Sequence, residues 1–311
     1  MADVLALDTS NYTTSTALFH DGQILQQKRL LPVKEGELGL RQSDAVFHHV
    51  QQLPELTEAL LGQSPLQELQ AVGCSTRPRT QPGSYMPCFT VGHGAARMLA
   101  ASFGVSLHSF SHQQGHIAAA LWSARRLDLF EKEFIAFHVS GGTTEAVLVT
   151  PDRENVFSVS LLAQSLDLKG GQAVDRVGKL LGLRFPAGPE LEKLASQSQK
   201  RYKIHPSMKG ADCSLSGIEN QCGRMKNDGV PFQDIAKFCL CSLLAALDAM
   251  AAALLKERPK LPLVFAGGVM ANQFIRKSLT AKYGAYFAEP AFSADNAAGI
   301  AVLTARREGL L

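Results

Sequence analysis

Two histidines, His112 and His116, stand four residues apart in the run His112-Gln113-Gln114-Gly115-His116. On a helix that spacing projects both imidazoles from one face. Borderline divalent cations such as zinc or ferrous iron take imidazole and carboxylate ligands. Two further candidate ligands lie elsewhere in the chain: His138, which opens a glycine turn, and Asp295, in the run Ser293-Ala294-Asp295-Asn296. Taken singly, a histidine pair more often reads as a polar patch, His138 as a strand-end histidine bonded to backbone, and Asp295 as a helix N-cap. Taken jointly, three imidazoles and one carboxylate describe a metal centre whose work is to orient and polarise an acyl or phosphoryl oxygen.

Three glycine turns are candidates for holding an anion: Ser140-Gly141-Gly142-Thr143, Gly170-Gly171 and Gly267-Gly268. Glycine exposes backbone N–H groups without side-chain obstruction, consecutive N–H donors form an anion nest, and a helix N-terminus adds partial positive charge. None is followed by the Lys-Ser/Thr of a Walker loop, and none is Gly-x-Gly-x-x-Gly. With Asp175 placed to take ribose hydroxyls, the three turns predict a nucleotide cleft between two lobes.

The elements that must position these groups alternate between strand and helix. Val4–Leu7, Thr13–Phe19 and Gln23–Leu30 read as a β-meander, and a helix over 45–61 follows, with Pro54 predicting a kink or a break. A strand at 69–74 runs into a long loop holding Arg77, Pro78, Arg79, Pro82 and Gly83. Helices are predicted at 90–103 and 111–125, the second capped by Ser111. Phe134–Val139 and Thr144–Thr150 open a second meander. An offset of 130 residues carries Asp8 onto His138, Thr13 onto Thr143 and Leu18 onto Leu148. This echo predicts a duplicated two-lobe α/β fold. The lobes are drawn at 1–125, with the C-terminal helix 296–311 packing back on it, and at 126–295.

Composition sets the bounds. At 311 residues, 46% hydrophobic and 19% charged, the chain can build a real core. A net charge of +3 with no basic block is too weak to argue for nucleic-acid binding. The clusters at Arg77/Arg79 and at Lys200, Arg201 and Lys203 read as solvated surface. Six scattered cysteines without a Cys-x-x-Cys pair fit reduced thiols, and no charged-then-apolar leader opens the chain, so a cytoplasmic protein is expected. Phe238–Leu255, interrupted by Asp248, reads as a core helix and no membrane span is expected.

At this density of motifs the chain resembles the tRNA N6-adenosine threonylcarbamoyltransferase (TsaD-type) family. His112–His116 resembles its His-x-Glu-Gly-His metal pair, and His138-Val139-Ser140-Gly141-Gly142 its substrate loop. Asp175, Gly188 and Glu192 fall on its nucleotide-contacting positions. Ser214-Leu215-Ser216-Gly217 resembles Ser-Phe-Ser-Gly, Gly267–Asn272 resembles Gly-Gly-Val-x-x-Asn, and Asp295-Asn296 resembles the metal aspartate motif. The resemblance implies the actin/hsp70/sugar-kinase (ASKHA) fold and one divalent metal, Fe2+ or Zn2+, on His112, His116, His138 and Asp295. It further implies a nucleotide of the ATP/AMP type as part of the substrate, tRNA as acceptor, and protein partners of the threonylcarbamoylation machinery. Val139, Ser140, Gly141, Gly142 and Asn272 join the substrate-binding set, and Arg77 and Arg79 become candidates for RNA phosphate contact. The implied reaction is acyl transfer from threonylcarbamoyl-AMP to adenosine N6.

The departures from the family pattern are acidic. The family's Glu-Thr-Ser-Cys-Asp-Glu-Thr is here Asp8-Thr9-Ser10-Asn11-Tyr12-Thr13-Thr14, the glutamate between the metal histidines is Gln114, and Asp-Asp-Ala-Ala-Gly-Glu is here Asp167-Leu168-Lys169-Gly170-Gly171-Gln172. These leave open a nucleotide-binding paralogue acting as partner or regulator, or another transferase or kinase of the same fold. A metallopeptidase is disfavoured, because Gln113 stands where a zincin has its catalytic glutamate.

Overall fold

A computed structural model describes residues 2–10, 12–32, 40–293 and 297–311. The predicted N-cap Asp295-Asn296 lies outside the described residues. The chain divides into two compact units: unit 1 comprises 1–127, 152–157 and 291–311, and unit 2 comprises 128–151 and 158–290.

Unit 1 is built on a five-stranded sheet in the order β3-β2-β1-β4-β5. Its strands are β1 (Ala2–Ser10), β2 (Thr13–His20), β3 (Gln23–Leu30), β4 (Glu68–Arg77) and β5 (Ser106–Ser111). β1 is central and buried on both faces, which is why Val4-Leu5-Ala6-Leu7 reads as a continuous apolar run and not as an alternation. β3 lies at the edge, and its exposed Lys28 and Arg29 discourage pairing with another chain. Helices α1 (Gln42–Gln63) and α2 (Phe89–Phe103) pack Leu60, Ala96 and Ala100 against Leu5, Leu7, Leu18 and Val72. Helix α3 (His112–Ser123) carries the histidine pair.

Helix α1 runs through Pro54 without the predicted break. The hydrogen bond that proline removes would have gone to the carbonyl of Val50, which is itself exposed, so water can take that carbonyl.

Unit 2 repeats the topology. Its sheet runs β12-β11-β6-β7-β8, with β6 (Phe134–Val139), β7 (Thr144–Asp152), β8 (Val156–Gln164), β11 (Leu263–Ala266) and β12 (Tyr286–Phe287). β1-β2-β3 thus corresponds to β6-β7-β8, and β4-β5 to β11-β12. The correspondence extends to register: Asp8 pairs with Ser15 and Thr9 with Thr14, while His138 pairs with Glu145 and Val139 with Thr144. The 130-residue echo is therefore a structural duplication. Phe137, Phe265 and Phe287 stack across three neighbouring strands, with centroids 4.6 and 5.0 Å apart.

Around this sheet stand α4 (Gly170–Leu180), α5 (Gly188–Ala195), α6 (Ser216–Asn227), α7 (Phe232–Glu257) and α8 (Gln273–Tyr283). A short hairpin, β9 (Ser207–Lys209) and β10 (Asp212–Ser214), lies between α5 and α6. The apolar helix α7 is long enough to cross a membrane, yet it buries Ile235, Cys239, Leu243, Leu247 and Met250 in the unit 2 core. Short helix α9 (Pro290–Ser293) and helix α10 (Ala298–Arg307) complete the chain, and α10 packs on α3 in unit 1.

Candidate metal and nucleotide residues

In unit 1, α3 begins as its sequence demands. Ser111 Oγ accepts from Gln114 N at 3.2 Å, and Gln114 Oε1 accepts from Ser111 N at 2.9 Å, a reciprocal capping box. Gly115, between the histidines, lets α10 approach. A Cβ on Gly299 would stand 1.7 Å from the Gly115 carbonyl oxygen, and one on Gly115 would press on Ile300. The rings of His112 and His116 lie side by side with centroids 4.3 Å apart at 74°.

The orientation of His112 is set by a residue that the motif reading missed. Its Nδ1 donates to Asp8 Oδ2 at 2.8 Å, while Asp8 Oδ1 accepts from Ser75 Oγ at 2.5 Å. Asp8 is buried at the end of β1. An ionised carboxylate only accepts, so Nδ1 bears a proton, and in the neutral ring the lone pair is then on Nε2, the arrangement of a carboxylate-backed metal histidine. The signal available in the sequence was the echo, which carries Asp8 onto the candidate ligand His138.

Arg77 and Arg79 flank Pro78, whose carbonyl accepts from Gln113 N at 3.0 Å. The arginine loop therefore abuts the first turn of α3. Arg77 is exposed, and Arg79 N donates to Ser84 Oγ at 2.9 Å.

Gln114 replaces the family's glutamate and is itself buried. Beyond the capping box, its Nε2 donates to the carbonyls of Phe157 at 3.1 Å and Asn155 at 3.4 Å. A glutamate has no such donor, so the departure is a structural exchange.

In unit 2, β6 ends at His138-Val139 and delivers the Ser140–Thr143 turn. All three glycine turns meet around it. Gly171 N donates to Ser140 O at 3.0 Å, and Gly170 N donates to Thr144 Oγ1 at 2.7 Å. A Cβ on Gly171 would stand 2.6 Å from Gly141 N, and one on Gly267, at φ +99°, would stand 2.4 Å from Val139 O. This corrects the expectation that Gly170-Gly171 is an anion nest, because both amides are already engaged. Gly141 and Gly142 face open space.

Asp167, absent from the predicted site, ties this region together. Its oxygens accept from Leu215 N at 2.7 Å and from Ser216 Oγ at 2.6 Å, fixing the Ser214–Gly217 turn to the approach of α4. Burial pushes its carboxyl up, but bonds from Ser216, Leu215 and Leu168 outweigh that and leave it below the ordinary range. Asp175 goes the other way: burial raises it above the ordinary carboxylate value, against the one bond from Ala187 N at 2.9 Å. Gly188 opens α5. Glu192 Oε1 accepts from Gln273 N at 2.8 Å, and Asn272 Oδ1 accepts from Ile275 N at 3.0 Å, so both cap α8.

Among the described residues no three His, Cys, Asp or Glu side chains gather to hold a metal. His112 and His116 belong to unit 1, His138 to unit 2, and Asp295 lies outside the described residues. The donor chemistry of the pair nonetheless fits a divalent cation, since adjacent imidazoles on one helix face, one backed by a carboxylate, are a borderline-metal donor set.

A family model described as TsaD: tRNA N6-adenosine threonylcarbamoyltransferase matches residues 31–302. A tRNA N6-adenosine threonylcarbamoyltransferase from Thermus thermophilus is 29% identical over 98% of this chain and 92% of its own length. One from Methanopyrus kandleri is 27% identical over 90% and 80%. Among solved structures, full-length HypF in its phosphate- and nucleotide-bound form aligns with a TM-score of 0.62 at 14% identity, over 99% of this chain and 46% of that one. The Acidaminococcus fermentans (R)-2-hydroxyglutaryl-CoA dehydratase component A aligns with a TM-score of 0.54 at 15% identity, over 97% of both chains. These likenesses and the doubled sheet give the actin/hsp70/sugar-kinase type of α/β fold. With the family model spanning most of its length, the chain belongs to the tRNA N6-adenosine threonylcarbamoyltransferase family, a family of acyltransferases.

Proposed function

We propose that this chain transfers a threonylcarbamoyl group from threonylcarbamoyl-AMP to N6 of an adenosine in a tRNA anticodon loop, in the cytoplasm and with protein partners of the same modification machinery. The observation that carries the reading is the Asp8–His112 hydrogen bond, one helical turn ahead of His116, in a chain of this family. His112, His116, His138 and Asp295 form the proposed ligand set for one Fe2+ or Zn2+, which when bound would supply Lewis-acid polarisation of the acyl oxygen.

The chain's own groups do the rest. Asp8 holds the His112 tautomer. The Gly141 and Gly142 turn, with space around it, takes an anionic group of the adenylate, with Val139 and Ser140 carrying that turn. Asp175, Gly188, Glu192 and Asn272 remain on the nucleotide side. Arg77 and Arg79 meet RNA phosphate, and the target base is reached in a single-stranded loop. In the transfer the adenosine N6 attacks the carbamoyl carbon, the bond from that carbon to the phosphate oxygen breaks, AMP leaves, and N6 gives up one proton.

The test supplies threonylcarbamoyl-AMP, unmodified tRNA and the partner proteins, and reads the modified nucleoside by mass spectrometry. Formation of the product supports transfer. The acid-poor turn at Tyr12-Thr13 favours a second reading, a nucleotide-binding partner without catalysis. Absence of product with ATP binding retained would select that one.

A further inference from the structure

Between Glu192 and Asp212 the sequence holds no acidic residue, yet it carries Lys193, Lys200, Arg201, Lys203, His205 and Lys209. The structure gives this stretch of unit 2 a regular presentation. Exposure alternates residue by residue from Arg201 to Lys209. Arg201, Lys203, His205, Ser207 and Lys209 face outward, and Tyr202, Ile204, Pro206 and Met208 are half-buried.

The inward side is anchored. Tyr202 donates its hydroxyl to Asp234 O at 3.1 Å and sets its ring edge-on to Phe238 at 5.3 Å, while Met208 packs on the unit 2 core. Just upstream, Ser198 Oγ donates to the buried Asp234 carboxylate at 2.5 Å. Downstream, β9 pairs with β10, placing Asp212 opposite Lys209, with Asp212 Oδ1 already accepting from Gln164 N at 2.7 Å.

The outward cations are uncompensated. Several exposed cations elsewhere are ion-paired, as in Arg29–Glu55, Arg176–Glu219, Arg184–Glu190 and Lys282–Asp248, and among the described residues scattered ones such as Lys179 and Lys277 are not. What sets this stretch apart is a run of cations with no acidic residue between them. Among the described residues, Lys200, Arg201 and Lys203 have no carboxylate partner. A ribbon of chain anchored on its inward side that presents several cations without carboxylate partners concentrates positive potential there.

We infer that this ribbon, centred on Lys200, Arg201 and Lys203, is a contact surface for the phosphate backbone of RNA. The inference rests on the tRNA-modifying function proposed above and adds where the RNA lies. Cations recur along the exposed side from Lys200 to Lys209, which suits the repeated phosphates of an RNA strand. The outward positions include no large apolar group for a bilayer interior to take up. The ribbon also leads somewhere useful. β10 ends at Ser214, and Ser216 is bonded to Asp167, shortly before the glycine pair that packs on the Ser140–Gly141 turn.

The test compares three proteins binding an unmodified tRNA transcript by fluorescence anisotropy across a salt series: the parent chain, Lys200→Gln/Arg201→Gln/Lys203→Gln, and Lys256→Gln/Lys260→Gln. The control cations are exposed; Lys256 stands in the last turn of α7, roughly 33 Å along its axis from Asp234, and Lys260 follows just after the helix. The triple variant is expected to bind about tenfold more weakly near 0.1 M salt, and its log Kd against log salt slope is expected to fall by about 2. The control is expected to match the parent, and all three to melt alike. A parent that binds RNA and a triple variant with unchanged affinity and slope would overturn the ribbon while sparing the proposed function. A parent that binds no tRNA, with or without partners, would overturn both. Equal weakening in the control would reduce the effect to net charge and likewise overturn the inference.

Discussion

His112 Nδ1 donates to Asp8 Oδ2 at 2.8 Å, joining the end of strand β1 to the first turn of helix α3. The bond fixes which imidazole nitrogen can act as a ligand and strengthens it as a donor. Loss of such an outer carboxylate typically lowers metal affinity or activity about 10–100-fold. Asp8→Asn is therefore expected to weaken Zn2+ binding by that order, measured by competition with a chromogenic chelator. The Ser75 hydroxyl can still donate to the amide oxygen, so the fold is expected to survive. Unchanged affinity would remove Asp8 from the site.

Gln114 gives a prediction opposite to that of a lost catalytic acid. Restoring the family's residue with Gln114→Glu would aim a buried carboxylate at the carbonyls of Phe157 and Asn155 in place of an N–H donor. The expected result is a loss of about 1–3 kcal/mol of stability, read from urea unfolding, with no gain in transfer activity. A gain in activity would show that the acid has a chemical role which this chain has given up.

These two residues also show what the sequence could and could not convey. The duplication was legible because strand pairing preserves spacing, so Asp8–Ser15 and His138–Glu145 keep the 130-residue offset. The Ser111 cap was legible because a capping box is local. Asp8 as the support of His112 was not, since the partners lie 104 positions apart and only the sheet brings them together. Gln114 read as a departure for the same reason, because its amide acts on a hairpin more than 40 residues away. The engaged amides of Gly170 and Gly171 could not be foreseen, since a glycine pair looks the same whether its N–H groups face a ligand or a neighbouring loop. The exposure pattern of 201–209 was hidden inside a stretch that composition marked only as polar surface.

His49 makes acid sensitivity a measurable property of unit 1. Thr14 Oγ1 donates to Gln52 Oε1, so it must accept from His49 Nδ1, at 2.8 Å. His49 Nε2 is buried without a hydrogen-bond partner. Burial holds the imidazole down to about 4, against an opposing pull from Asp8. Above pH 6.5 the ring is neutral in both folded and unfolded chains and contributes no pH dependence. As pH falls from about 6.5 to about 4 the unfolded chain takes up the proton first, so stability falls, by on the order of 3 kcal/mol. His49→Asn keeps a donor toward Thr14 and removes the titration. The difference in unfolding free energy between the two proteins should therefore shift between pH 7 and pH 4.5 in the variant's favour. A constant difference would place the ring's proton affinity near its ordinary value.

The glycines of unit 2 separate packing from ligand binding. A Cβ on Gly267 would meet Val139 O at 2.4 Å, and the residue holds φ +99°, so Gly267→Ala has both a clash and a strained backbone to accommodate. Gly171→Ala would push directly on the backbone of Ser140-Gly141. Both substitutions are expected to lower stability by about 1–3 kcal/mol and to weaken nucleotide binding through displacement of the turn. Gly141→Ala should behave differently, since nothing lies within 4 Å of the added methyl. Its stability should stay within about 0.5 kcal/mol of the parent, yet its affinity for ATP or AMP should fall because the methyl occupies the space proposed for the anion. Calorimetric titration with each nucleotide, alongside thermal unfolding, distinguishes the two classes. If Gly141→Ala binds nucleotide as the parent does while Gly171→Ala and Gly267→Ala lose it, the turn is only a packing element and the anion sits elsewhere in unit 2.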